Sequence, residues 1–218
     1  MAAPALRTYG RVKGRTLRAG RASLLDEALP GLRVDLADPL KGHAGEVWVE
    51  LGFGGGEHLA AQAARRPDVL MLGAEPFVNG VASAVRHIHD GGLGNVRLHA
   101  GDGRELLAAL PAGSVQQVFV LFPDPWPKTR HHKRRLINPQ VIADLAGVMR
   151  PGGLLRFATD WSDYVTWTLE LFARAPAFHW TAERADDWRR APADHVATRY
   201  ERKRLGDCPP VFLELLRR

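Results

Sequence analysis

Val47-Trp48-Val49-Glu50-Leu51-Gly52-Phe53-Gly54-Gly55-Gly56-Glu57 decides the architecture of this chain. Its first five residues are an apolar run broken by one acid, the composition of a strand buried on both faces. Four glycines among the next five turn the chain, and residues 57–65 read as helix. The same cycle then repeats. Strands are predicted over 69–74, 96–100, 115–122 and 154–158, alternating with helices over 77–89, 103–110, 139–149 and 164–173. Residues 177–181 and 211–216 supply closing strands. Strands alternating with helices in this way imply an α/β fold, a parallel sheet with helices on both faces.

Such sheets bind ligands beyond the carboxyl ends of their strands, where strand order reverses. Glu50, Glu75, Asp102, Asp124 and Asp160 each stand at or just after a predicted strand end, so five carboxylates converge on one edge. Gly52, Gly54 and Gly56 let backbone approach a ligand, and the helix that follows offers free N–H donors. A dinucleotide loop would need glycine at the position of Glu57. Glu75 lies twenty-three residues beyond Gly52, near the offset at which a carboxylate meets ribose hydroxyls. Together these features suit a nucleoside without phosphates.

Further along, prolines 123, 125 and 127 hold Asp124 in an extended turn, because proline fixes its own φ and disfavours helix in the residue before it. Positions 128–135 then carry five Lys/Arg and two His. An acid fixed beside dense positive charge suits work on a polyanion. The 218 residues carry a net charge of +6, and residues 1–25 hold six cations with no acid before Asp26. Two separate basic segments give an electrostatic footprint for nucleic acid. One cysteine, Cys208, excludes an internal disulfide and fits a reducing compartment. No run reads as a signal peptide or membrane span, so a cytoplasmic protein is expected. The nine histidines form no zinc motif, and no metal is expected.

These residues together resemble the bacterial tRNA (guanine-N7)-methyltransferases over nearly the whole chain. The resemblance runs through Arg7-Thr8-Tyr9, Gly14-Arg15, Glu50 to Gly56, Gly73-Ala74-Glu75-Pro76, Phe122 to Lys128, the 130–135 patch, Ala158-Thr159-Asp160 and Thr198-Arg199-Tyr200-Glu201. The Phe-Pro-Asp-Pro-Trp-Pro-Lys segment is its specific part, whereas the glycine loop marks only the wider S-adenosylmethionine-dependent class. Arg199 and Tyr200 stand where lysine and phenylalanine are usual, and Thr129 where a second lysine is common. The resemblance implies a Rossmann-like seven-stranded, mostly parallel sheet with a reversed last strand. It also implies S-adenosyl-L-methionine as cofactor, tRNA as substrate and methylation of a guanosine at N7. Cofactor contacts would fall on Glu50, Gly52, Gly54, Gly56, Glu75, Asp102 and Asp124, with Asp124 the catalytic acid. Substrate contacts would fall on Lys128, Arg130, His131, His132, Lys133, Arg134, Arg135, Asp160, Thr198, Arg199, Tyr200 and Glu201. Residues 1–40 are then a basic arm and lead-in, mobile at its start, and 41–218 a methyltransferase domain, monomeric or homodimeric.

Guanine N7 has an in-plane lone pair and no proton at neutral pH, so its methylation needs positioning rather than a general base. Either Asp124 or Asp160 can accept from the two N–H donors of the guanine edge. Trp126 is either a stacking platform for the base or a core or lid aromatic. Two other readings compete. A methyltransferase of small molecules or protein amines has no use for the two basic segments. A non-catalytic nucleic-acid module has no reason to keep Glu50, Glu75, Asp102 and Asp124 together.

Overall fold

A computed structural model gives the fold and describes residues 9, 10 and 12–218; Arg7, Thr8 and Arg11 of the arm lie outside the described residues. Seven strands form one sheet: β1 (Val47–Leu51), β2 (Leu70–Ala74), β3 (Val96–His99), β4 (Val115–Leu121), β5 (Met149–Thr159), β6 (Phe178–Trp180) and β7 (Val211–Arg217). Their order is β3-β2-β1-β4-β5-β7-β6. β1 to β5 run parallel, with Val49 level with Leu72 on one side and Val118 on the other. β7 runs antiparallel to both β5 and β6, the reversed last strand of a Rossmann-like sheet. Strand order reverses between β1 and β4, which leaves a crevice at their carboxyl ends.

Helices cover both faces. On one, Leu59 and Ala63 of α2 (Glu57–Arg65) and Val81, Val85 and Ile88 of α3 (Val78–Asp90) pack with Met71, Leu98 and Phe119. On the other, Leu106 of α4 (Gly103–Ala109), Ile142 and Leu145 of α5 (Pro139–Val148) and Tyr164 and Phe172 of α6 (Ser162–Ala173) pack with Val118, Leu155 and Leu213. Asn138 caps α5 by accepting from the N–H groups of Gln140 and Val141, both at 3.1 Å, with Pro139 opening the helix. Two short helices, α7 (Asp186–Arg189) and α8 (Arg199–Lys203), lie in the segment between β6 and β7.

The lead-in departs from the pattern expected of it. Residues 19–32 form α1 (Ala19–Leu32), although its arginines and the internal Pro30 hide any helical period. Leu29 is buried, and Leu24, Leu25, Ala28 and Leu32 are partly buried against the α2–α3 layer. Ahead of α1 the arm docks on the first turn of α3. Val78 N–H donates to the Val12 carbonyl at 3.0 Å, Gly14 N–H to Asn79 Oδ1 at 3.0 Å, and Asn79 Nδ2 to the Arg15 carbonyl at 2.7 Å. β5 also begins five residues before the expected 154, taking in Pro151-Gly152-Gly153 with an irregular register opposite Val115–Gln117.

Candidate active site

A cleft of about 290 Å³ opens at the carboxyl ends of β1 and β4, and Glu50, Gly52, Gly54, Glu75, Asp102 and Asp124 all line it. Gly52, Gly54 and Gly56 have φ of +74°, +54° and +79°, a region that side chains with a Cβ rarely enter. The loop is also pressed against α3. A Cβ on Gly56 would meet Ala84 Cβ at 2.5 Å, and one on Gly80 would meet the Gly54 carbonyl oxygen at 2.2 Å. A Cβ on Gly52 would meet nothing within 4 Å and would project into open space.

The carboxylates are held in different ways. Glu75 is 8% exposed, and its two oxygens accept from Gly54 N–H at 2.8 Å and Phe77 N–H at 2.9 Å. Burial raises its pKa most, those two N–H bonds pull the other way, and the charges of Asp124 and Glu50 add to the rise. Glu50, 2% exposed at the end of β1, is paired with His58 Nδ1 at 2.8 Å. Asp102 caps α4 through Arg104 N–H at 3.0 Å, and the Arg104 guanidinium grips both its oxygens. Asp124 is exposed as a residue because the cleft is open, yet protein atoms crowd its carboxyl enough for desolvation to raise its pKa. Among the described residues no hydrogen-bond donor reaches it.

The turn that carries Asp124 is bracketed by Phe122 and Trp126, both at positive φ, +50° and +45°. Non-glycine residues in that region store roughly 1–3 kcal/mol each and persist only where their surroundings enforce them. Arg135 supplies the enforcement. Only 1% exposed, it donates from Nε to the Pro125 carbonyl at 2.9 Å and pairs with Asp163. Its guanidinium lies 4.7 Å from the Tyr164 ring and 5.3 Å from that of Trp167. Trp126 faces the cleft with the Arg134 guanidinium 4.9 Å from its ring, and the same guanidinium is 5.2 Å from the Tyr9 ring.

The remaining expected residues divide among three places. Lys133, Arg134, Arg135, Thr198, Arg199 and Tyr200 line the cleft, and the Tyr200 ring would lie 3.7 Å from a Cβ on Gly54. Lys128, Arg130, His131 and His132 belong to the 3-10 turn region Thr129–Arg134 and its cap, outside the cleft lining. There His132 packs on Trp167 at 5.5 Å and His131 on the edge of Trp126 at 5.9 Å. Partial desolvation first, and then the surrounding cations led by Arg134, lower the pKa of His131. Asp160 and Glu201 line a neighbouring hollow instead. Asp160 accepts from Gly206 N–H at 2.9 Å, so Asp124 and Asp160 do not share one cleft. Thr198 and Glu201 form a reciprocal capping box on α8. Tyr9, Arg104, His58 and Gln62 shape the site without having been expected. For Arg104 the available signal was its place two residues after a strand-end acid; for His58 it was a polar residue on the buried face of the helix after Glu50.

The family of proteins described as "Putative methyltransferase" matches residues 44–208, which include every cleft residue except Tyr9 and Gly10. A tRNA (guanine-N(7)-)-methyltransferase of Caulobacter sp. (strain K31) is 54% identical, over 97% of this chain and 95% of its own. The chain belongs to the tRNA (guanine-N(7)-)-methyltransferase family. A relative of that name from Rhodospirillum rubrum is 47% identical, over 97% of this chain and 88% of its own. Among solved structures, a 16S rRNA (adenine(1408)-N(1))-methyltransferase from Catenulisporales acidiphilia matches with a TM-score of 0.58. It is 22% identical, over 83% of this chain and 89% of that one, and the likeness extends to the fold. In the methyltransferase the cleft chemistry fits S-adenosyl-L-methionine. The charges of Asp124 and Glu50 reach Glu75, and a sulfonium cation relieves that repulsion. Each Glu75 oxygen keeps a lone pair for a ribose hydroxyl. Among the described residues no three His, Cys, Asp or Glu side chains gather as a metal site would require, and no helix is long and apolar enough to cross a membrane.

Proposed function

We propose that this protein transfers the methyl group of S-adenosyl-L-methionine to N7 of a guanosine in tRNA, in the cytoplasm. The observation that carries the reading is Asp124, an acid without a hydrogen-bond donor among the described residues, held by a strained turn on the wall of the glycine-loop cleft. The name of the Caulobacter relative, 54% identical across nearly the whole chain, points the same way. Bound S-adenosyl-L-methionine supplies an electrophilic sulfonium methyl. The chain's residues do the positioning. Glu75 accepts from ribose hydroxyls, and the backbone of the 52–55 loop, which lines the cleft, packs against the rest of the nucleoside. Asp124 accepts the N1–H and N2–H donors of guanine, which turns N7 along a fixed direction. What supports Asp124 in this role over Asp160 is its place in the cleft, whereas Asp160 is engaged by Gly206 beside a separate hollow.

The major groove of an RNA duplex is too narrow for a side chain to reach N7, so the nucleotide must leave its stack. Trp126, on the cleft wall beside Asp124, offers a face for the extruded base, a contact worth about 1–3 kcal/mol. Lys133, Arg134 and Arg199 rim the same cleft and suit flanking phosphates. Digestion of tRNA incubated with the protein and S-adenosyl-L-methionine, followed by mass spectrometry of the nucleosides, tests the reading. The expected product is 7-methylguanosine. Methyl transfer to another nucleoside, or none from a preparation that still binds S-adenosylhomocysteine, would overturn it.

A further inference from the structure

Between α7 and α8 residues 190–198 have no regular secondary structure, yet they set Arg199 and Tyr200 on the rim of the cleft. Binding residues carried on a loop depend on a rigid scaffold to place them, so such a loop must be held. Asp194 is the point at which this one is held. Its carbonyl accepts from Gln62 Nε2 at 2.8 Å and from the Arg65 guanidinium. Its carboxylate accepts from Arg156 at 2.8 Å, and Arg156 is itself pinned by Glu214 at 2.7 Å. The neighbouring His195 pairs with Glu201 at 2.7 Å and sets its ring 4.9 Å from that of Phe212.

Gln62 continues inward. It is 2% exposed, and its Nε2 also lies 3.1 Å from His58 Nε2, while His58 Nδ1 lies 2.8 Å from Glu50. Only one assignment satisfies every partner. The amide nitrogen of Gln62 has two hydrogens, one for the Asp194 carbonyl and one for His58 Nε2. His58 Nε2 then accepts, so its proton sits on Nδ1 and goes to Glu50. Donation thus runs outward from Gln62 to the rim segment and inward through His58 to the acid at the end of β1. Neither Gln62 nor His58 lines the cleft.

We propose that Gln62 is a positioning residue: through Asp194 it fixes the 194–201 segment on α2, and so sets Arg199 and Tyr200 for productive RNA binding. The inference rests on the proposed function only in taking the ligand at this rim as RNA. Gln62→Leu keeps the volume and removes both donors. Gln62→Glu can still meet a protonated His58 but sets a carboxylate against the Asp194 carbonyl. Hydrogen exchange of the free protein is the first measurement. Both variants are expected to speed exchange over 192–204 about tenfold, the loss of one buried hydrogen bond, with α3 and β1 to β4 unchanged. Steady-state kinetics is the second. KM for tRNA should rise about tenfold while kcat and S-adenosylhomocysteine affinity stay within about threefold. Gln62→Asn, whose amide is one methylene too short to reach the Asp194 carbonyl, should give the same split where the other Gln62 variants fail to fold. Unchanged exchange over 192–204 in the folded variants would overturn the proposal, as would Gln62→Glu matching wild type, which would leave Gln62 merely supporting His58. The exchange result stands whether or not tRNA is methylated, so failure of the clamp and failure of the functional reading are separable.

Discussion

Asp124 and Glu75 are both carboxylates with raised pKa values, and they answer to substitution differently because their partners differ. Asp124→Ala removes the acceptor proposed for the guanine edge and little else. It should cut kcat more than about tenfold, a barrier change above about 1.4 kcal/mol, while leaving the melting temperature intact. Asp124→Asn isolates the charge. Because the folded pKa lies above the ordinary value of 3.8, the native state holds the proton more tightly than the unfolded chain. Wild-type stability therefore gains as pH falls from the raised value toward 3.8, and the charged form costs stability above that window. Asp124→Asn should melt no lower than wild type at pH about 7, and any advantage should vanish below pH about 4. A lower melting temperature at neutral pH would show that Asp124 has a stabilising partner. Glu75→Ala should instead weaken S-adenosylhomocysteine by about tenfold or more, since it loses charge-assisted bonds of about 1.5–3 kcal/mol and frees the Gly54 and Phe77 N–H groups. Calorimetry that finds unchanged affinity would put the ribose elsewhere.

At the scale of elements, the loop between β1 and α2 separates the binding role of glycine from its packing role. Alanine at Gly52 or Gly56 meets a positive φ, a strain of about 1–2 kcal/mol in either case. At Gly56 the added methyl also collides with Ala84 of α3, an overpacking cost of about 1–3 kcal/mol. At Gly52, which lines the cleft, the methyl meets no atom within 4 Å. Gly56→Ala should thus lower the melting temperature more than Gly52→Ala, and Gly52→Ala should lose cofactor affinity out of proportion to its stability. Equal melting temperatures for the two variants would count against the α3 contact. This loop, the strands and the strand-end acids were legible because an apolar run, a glycine turn and a terminal acid are local patterns. α1 was not, since its helical face is set by packing on α3 and only Leu29 is buried. Arg135 and Thr198-to-Glu201 mark a different boundary. A cation within a basic run and a Thr-x-x-Glu spacing fit RNA contact and structural anchoring equally well in sequence. Only the fold reveals Arg135 at 1% exposure beneath the Pro-Asp-Pro turn, and Thr198 and Glu201 capping one another.

For the whole molecule, the charge pattern sharpens once the chain is folded. Arg15, Arg18, Arg21, Arg86 and Arg199 line one hollow with Asn79 and no acid. Arg86 pairs with Asp90, whereas Arg15, Arg18, Arg21 and Arg199 meet no carboxylate among the described residues. Arg199 lines both this hollow and the cleft, while Lys133 and Arg134 line the cleft as well. Positive charge from the arm, α8 and the 128–135 patch therefore follows one path past Asp124, a course suited to an RNA backbone. Each phosphate neutralised along it releases condensed counterions and adds about 0.7 to the salt slope of log K for a single strand, about 0.9 for a duplex. Arg18→Ser with Arg21→Gln removes two charges and leaves α1 a better N-cap than it has now, so folding should not suffer. The pair should weaken tRNA binding at low salt and flatten the slope by about 1.4–1.8 if each arginine holds one phosphate, with S-adenosylhomocysteine affinity unchanged. Titrations at four or five salt concentrations decide it. A slope equal to wild type would mean that the phosphates run along the 128–135 side alone, and that the arm's docking on α3 serves the cleft rather than the RNA.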